Sequence, residues 1–350
     1  LQHVLGLTVK SNCSLSCDPN TGLLAYPAGC VIVLYNPRNG KQTPIHNPGN
    51  KNITCLRFSC DGTHIATGES GHQPCVRVFS VADRSQLIAF DSHKYGISCV
   101  TFSPNMKYVV SVGFQHDQVI NVWDWKNNSL AASNKVSTKI KSVAFSHNNN
   151  YFVTVGNRHV KFWYMEPTPD KCTLPIKGRS AILESYRNQL YCDVTCGLGS
   201  DDDLTFAITR SGVLCQFNAR RTVEKSIQLK VRHCDTLTTI PDMVVCGGSS
   251  GSILVFSSSS LLPLHILPPP GTIRLNFCST FVWLVLTSRI CVSTTPEILA
   301  NTIDIRSMWM HTIFADHSLL VYDIMDFSSP QTHALSTFHS SSVWDIKVKY

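Results

Sequence analysis

His93, Ser111 and Asp117 supply the residue types of a nucleophilic triad: a hydroxyl, an imidazole to take its proton and a carboxylate to orient that imidazole. One common setting for such a serine is a sharp strand-to-helix elbow, and Ser111 stands on no Gly-x-Ser-x-Gly elbow. Phosphate chemistry lacks its parts as well. There is no P-loop and no dinucleotide glycine fingerprint, and Gly247-Gly248-Ser249-Ser250-Gly251 lies between two strand-like runs with no helix after it, so it reads as a hairpin turn. Asp201-Asp202-Asp203 lacks calcium-ligand spacing and reads as a solvated loop. The 15 cysteines include no Cys-x-x-Cys pair, and the two closest pairs, Cys13/Cys17 and Cys192/Cys196, have no second pair at zinc spacing. No metal, no cofactor and no catalytic residue is therefore expected. Many cysteines sit where a strand wants a small apolar side chain, which fits buried thiols in a reducing compartment.

The elements that must position these residues repeat. Apolar-Phe-Ser turns recur at Phe58-Ser59, Phe102-Ser103 and Phe145-Ser146, the phenylalanines 44 and 43 positions apart. Each is followed by an apolar run ending in Gly68, Gly113 or Gly156, then by an alternating run ending in an aromatic residue. A weaker fourth run follows, such as Gln86-Leu87-Ile88-Ala89-Phe90. Period-two alternation, β-branched and aromatic residues and turn chemistry at Cys60-Asp61-Gly62, Ser103-Pro104-Asn105 and Lys126-Asn127-Asn128 predict four short strands per unit. That is the blade of a β-propeller. The aromatic ends continue along the chain as Tyr35, Phe79, Trp123, Trp163, Phe217, Phe256 and Tyr322, which predicts an all-β, seven-bladed ring. The propeller is expected over residues 1–342, with insertions near 166–190 and 268–300. The segment 343–350, with the alternating run Val343 to Val348, reads as a closing strand or the start of a second propeller, and Leu1 to Val9 as another candidate for closure.

Composition agrees. Charged residues are 15% and hydrophobic ones 43%, which excludes a disordered chain and a coiled coil. The net charge of +7 is dispersed. Its densest cluster, Arg220-Arg221 with Lys225, is interrupted by Glu224 and reads as a solvated face. No RNA-recognition aromatic motif accompanies it, so nucleic acid is not an expected partner. No charged n-region precedes an apolar h-region, so no signal peptide is visible, and the longest apolar stretch, Phe281 to Leu286, is far short of the ~20 residues that span a bilayer. The glycosylation patterns at Asn12, Asn52 and Asn127 are therefore read as chance. A start at Leu1 and a stop inside an alternating run at Tyr350 read as a piece of a longer protein.

Loops entering each blade and loops joining second to third strands line one propeller face. Tyr95, Gln115, His116, Asn157, Arg158 and His159 fall in them, and their long polar, aromatic and Arg side chains make them the candidate partner-binding face.

Val122-Trp123-Asp124 and its variant Val321-Tyr322-Asp323 resemble the strand end of the WD-repeat superfamily. The resemblance implies that His93, Ser111, Asp117 and Trp123 form a structural tetrad within the third blade, the aspartate bonding the histidine and the serine joining it to the tryptophan. It also implies that Asp316 is retained for the same role in the seventh blade. A narrower likeness rests on His93-Lys94-Tyr95-Gly96, Gly113-Phe114-Gln115-His116-Asp117, Asn121 to Lys126, Tyr151 to Val160 and Gly212 to Asn218. These stretches resemble the first propeller of the mitogen-activated protein kinase-binding protein family, which includes a microcephaly-linked WD-repeat scaffold. That likeness implies a non-catalytic scaffold of protein partners, signalling kinases or cytoskeletal and spindle-pole proteins. It further implies work in c-Jun N-terminal kinase signalling and spindle or centrosome organisation, in the cytoplasm, cytoskeleton, centrosome or spindle pole. Kinase docking in such proteins lies in a C-terminal tail, so this region is expected to hold other partners. The alternatives are a propeller enzyme with a central-channel site and a nucleic-acid-binding module.

Overall fold

The computed structural model describes residue 4 and residues 6–91, 93–165, 176–249, 251–267, 296–326 and 331–337. Its strands form seven four-stranded antiparallel sheets, each taken from consecutive strands in chain order. Blade three is typical: Ile97–Phe102 innermost, then Tyr108–Gly113, Val119–Asp124 and Ser129–Lys135. The inner strands of blades two and four to seven are Ile53–Phe58, Ile140–Phe145, Tyr191–Cys196, Cys234–Ile240 and Ile298–Asp304. Neighbouring inner strands pack on one another around the ring. The chain is therefore an all-β, seven-bladed propeller, as its repeat predicts.

The core lies between blades, not within them. Second strands such as Tyr108–Gly113 and Tyr151–Gly156 are buried along their whole length, because each face meets a neighbouring sheet. Outer strands keep exposed positions, as in Gln86–Asp91. Phe152 and Trp163 pack with Val110, Val122 and Tyr108 of blade three, whereas Val153 and Phe162 pack with Tyr191 and Phe217 of blade five.

The repeated sequence marks have local causes. Ser59, Ser103 and Ser146 are buried, and each hydroxyl donates to the side chain two residues on: Asp61, Asn105 or Asn148, at 2.5, 2.7 and 2.8 Å. The same oxygen accepts the N–H of His64, Tyr108 or Tyr151, closing the turn. The glycine ending the second strand is demanded by close approach. A Cβ at Gly156 would lie 2.0 Å from the Lys139 carbonyl oxygen, and one at Gly113 would lie 2.5 Å from the Asp117 Cβ. The aromatic anchors Phe79, Trp123, Phe217, Phe256 and Tyr322 each stand where the third strand slips register against the outer strand. A bulge there increases strand twist, which a propeller blade needs.

Two expectations change in detail. The stretch 166–190, expected as an insertion, contains the outer strand of blade four, Ile176–Ser180, and a 3₁₀ turn at Glu184–Tyr186. The C-terminal part of 268–300 belongs to blade seven, whose inner strand begins at Ile298. Blade seven takes its outer strand, Gln331–Thr337, from its own stretch of chain. Leu7, Val9 and Leu15 are buried with Tyr26 of blade one and with Ala300, Ile313 and Leu319 of blade seven. The first and last blades thus meet through packing of the N-terminal segment. The apolar run at 281–286 and the strand expected at 343–350 lie outside the described residues.

Candidate functional site

The channel was a candidate for chemistry, and its occupant is the chain itself. A 3₁₀ turn, Asn12–Ser14, precedes the two-residue inner strand of blade one, Ser16–Cys17. Asn12 Nδ2 donates to Asp193 Oδ2 of blade five at 2.6 Å and to the Leu237 carbonyl of blade six at 3.2 Å. Asn12 Oδ1 accepts the Asn301 N–H of blade seven at 3.0 Å. Cys13 Sγ lies 3.5 Å from Cys99 Sγ of blade three and 3.5 Å from the Lys141 carbonyl of blade four. Ser14 Oγ donates to the Thr54 carbonyl of blade two at 2.8 Å. Three consecutive residues that reach the inner strands of six other blades must stand on the ring axis. Asp193, fully enclosed, also accepts the Leu237 N–H at 2.8 Å. Burial raises its pKa, while these donors oppose the rise. The Asp193 carboxylate is thus committed to holding the turn. The thiols behind it are equally retired: burial pushes Cys55 well up and Cys196 to about 12. Every described cysteine is free of disulfides. Among the described residues no three His, Cys, Asp or Glu side chains gather as a metal site.

The blade-three residues form a chain of hydrogen bonds. Trp123 Nε1 donates to Ser111 Oγ at 3.0 Å, and Ser111 Oγ lies 2.9 Å from His93 Nε2. Ser111 is completely buried and His93 nearly so. Burial lowers the His93 pKa to about 4, against a partial upward pull from Asp117. The imidazole is therefore neutral and closed off, which suits a structural post and not a proton shuttle in a pocket. Asp117 departs from the expected pattern. His93 Nδ1 has no partner, and the Asp117 carboxylate instead accepts the backbone N–H groups of Lys94, Tyr95 and Gly96 at 2.7–3.3 Å. It shapes the incoming loop directly. Asp316 of blade seven is likewise local, accepting the N–H and hydroxyl of Ser318.

The sequence did not reveal that blade four builds the same centre from another direction. Trp163 Nε1 donates to Thr154 Oγ1 at 2.9 Å, and Thr154 Oγ1 lies 2.9 Å from His159 Nε2. His159 was expected on the partner-binding face. Its ring instead turns into the blade, where burial lowers its pKa to about 4. The available signal was a Thr at the position equivalent to Ser111, in register before a Trp.

The remaining rim residues fall into two groups. Tyr95, 56% exposed, meets His116 edge to face at 6.0 Å, with Gln115 exposed beside it. Asn157 and Arg158 are exposed on the turn between second and third strands of blade four. Their backbones are pinned, Asn157 N–H to the Lys139 carbonyl and Arg158 N–H to the Gln189 carbonyl at the entrance of blade five. Ser70 pairs with Gly96 between blades two and three in the same manner. The rim is stitched across blade boundaries, so its side chains project from a fixed base.

Sheet count, blade order and the serine–tryptophan centre define a WD-repeat β-propeller. The profile of the WD domain, G-beta repeat, matches residues 42–80, 84–124 and 129–164. The chain is 44% identical over 99% of its length to mouse (Mus musculus) mitogen-activated protein kinase-binding protein 1. It is 42% identical over 99% of its length to WD repeat-containing protein 62 of the same species. It spans 23% of the length of each of these relatives. Mouse cilia- and flagella-associated protein 52 is 26% identical over 63% of this chain and 36% of its own. Among solved structures, a chain of "Crystal Structure of Mitotic Checkpoint Complex" superposes with a TM-score of 0.70 at 12% identity, covering 93% of this chain and 91% of that one, a likeness of fold alone. No helix among the described residues is long and apolar enough to cross a membrane.

Proposed function

We propose that this propeller is a non-catalytic protein-interaction scaffold, working through its rim loops in c-Jun N-terminal kinase signalling and in spindle-pole or centrosome organisation. The observation that carries the reading is the filled channel. The turn at Asn12–Ser14 takes the place a channel substrate would need, and its bonds to Asp193, Leu237 and Asn301 commit those groups to structure. What is left for function is the outer surface, where pinned loops hold Tyr95, Gln115, His116, Asn157 and Arg158. Likeness to mitogen-activated protein kinase-binding protein 1 and to WD repeat-containing protein 62 supports the signalling and cytoskeletal setting.

Proximity labelling of the full-length protein tests it. Tyr95→Ser, His116→Ser and Arg158→Ser together are expected to remove a defined set of kinase-pathway or spindle-pole neighbours while the fold persists by circular dichroism. An unchanged set of neighbours overturns the assignment to this rim. A neighbour set without either class overturns the setting.

A further inference from the structure

A second surface lies at the perimeter, between blades four and five. An open cleft of about 660 Å³ is lined there by Asn150, Tyr164, Lys177, Arg179, Arg220 and Arg221, among others. The strand pairing explains the concentration of charge. Lys177 and Arg179 of the outer strand Ile176–Ser180 stand opposite Tyr164 and Phe162. They therefore share the face of blade four that is turned toward blade five, where Phe162 packs with Phe217. Arg220 and Arg221 come from the facing turn, between the third and outer strands of blade five.

That turn is built to hold its arginines still. Asn218 Oδ1 accepts the N–H groups of Arg220 and Thr222 and the Thr222 hydroxyl at 2.9–3.2 Å. Arg221 takes a left-handed conformation at φ 66, and its carbonyl accepts the Ile182 N–H of the segment leaving blade four. Tyr186 and Ser226 join the two blades again at 2.7 Å. Arg220 and Arg221 make no ion pair with a carboxylate among the described residues, and Glu224, which follows them in sequence, does not line the cleft. Guanidinium groups presented from a rigid base lose little freedom on pairing and match carboxylates with two parallel bonds.

We propose that this cleft is a docking site for an acidic peptide segment, rich in Asp and Glu, of a protein partner. Cations on both walls of an open cleft suit a run of carboxylates better than a single anion. Arg179 already lies over one face of the Tyr164 ring at 5.6 Å, so a base would have to displace it to stack there, and a peptide is favoured over single-stranded nucleic acid. The surface is apart from the rim loops of the scaffold reading, and its failure leaves that reading standing.

The test is fluorescence anisotropy of the purified chain with fluorescein-labelled decaglutamate. Arg220→Ser with Arg221→Asn, the asparagine keeping the left-handed turn, is expected to weaken binding about tenfold. Lys177→Ser with Arg179→Ser is expected to do the same. Lys107→Ser with Lys135→Ser removes equal charge from exposed sites of blade three and is expected to leave affinity unchanged. Absence of decaglutamate binding overturns the proposal, as does equal loss in the blade-three variant, which makes the attraction a property of net charge. An oligothymidylate of equal charge that binds as tightly, with the same variant dependence, overturns the peptide assignment.

Discussion

Ser111 and Thr154 are the residues on which blades three and four are hung. Each hydroxyl oxygen serves a tryptophan N–H and a histidine nitrogen at once, at a fully buried position. Ser111→Ala strands both partners and is expected to cost about 2 kcal/mol, read from the shift of the urea midpoint at constant slope. Thr154→Val keeps the shape and is expected to cost a similar amount in blade four. The same burial sets a pH dependence. His93, His159 and His311 each fall from the ordinary imidazole value to about 4 through burial, with Asp117 and Asp304 opposing the fall at His93 and His311 and Lys161 adding to it at His159. Between pH 6.5 and 4 the unfolded chain therefore binds protons that the folded chain refuses. The stability these neutral rings contribute is complete above the unfolded value and is lost as pH falls toward the folded one. Each histidine tilts stability by up to about 1.4 kcal/mol per pH unit in that window. Thermal melts are expected to drop steeply from pH 6.5 to 4, and His93→Gln is expected to flatten the drop.

At the scale of the element, the turn Asn12–Ser14 does more than its three residues suggest. Its hydrogen bonds and thiol contacts reach six blades, and its loss would leave Asp193 buried with fewer donors. Asn12→Ala is expected to destabilise the fold by about 3 kcal/mol, since a buried carboxylate loses a partner. Hydrogen exchange is expected to quicken most in Tyr191–Cys196, Cys234–Ile240 and Ile298–Asp304, the strands the side chain joins. Uniform quickening across all blades would instead mean that the turn acts only through global stability.

Over the whole molecule, the plug changes what a repeat protein is expected to do. In an open array each repeat meets only its neighbours, and terminal repeats can fray. Here blades one and seven pack together around the N-terminal segment, and the axis is crosslinked by Asn12, Cys13 and Ser14. Unfolding is expected as one cooperative transition. Of the six tryptophans, Trp123, Trp125, Trp163 and Trp309 report blades three, four and seven by fluorescence, whereas far-ultraviolet circular dichroism reports all seven. The two curves are expected to coincide in urea, and a separate early phase in either would contradict closure by the plug.

The blade is written in the chain's local pattern. Alternation, the apolar-Phe-Ser turn, the glycine at the end of the second strand and the seven aromatic anchors are local signals, since each records contacts made within one hairpin or between adjacent strands. His93, Ser111 and Trp123 were legible only through the resemblance to the WD-repeat superfamily, which a set lying within a single repeat allows. The tertiary structure alone decided how the axis is filled, which way His159 turns and where Asp117 spends its carboxylate. It also decided which arginines meet across two blades. Asn12 bonds residues 181, 225 and 289 positions away, and contacts at such separations leave no period in the chain. Only closure of the ring brings those groups together. A strand's pattern fixes which face is buried, but the partner that buries it is supplied by the fold.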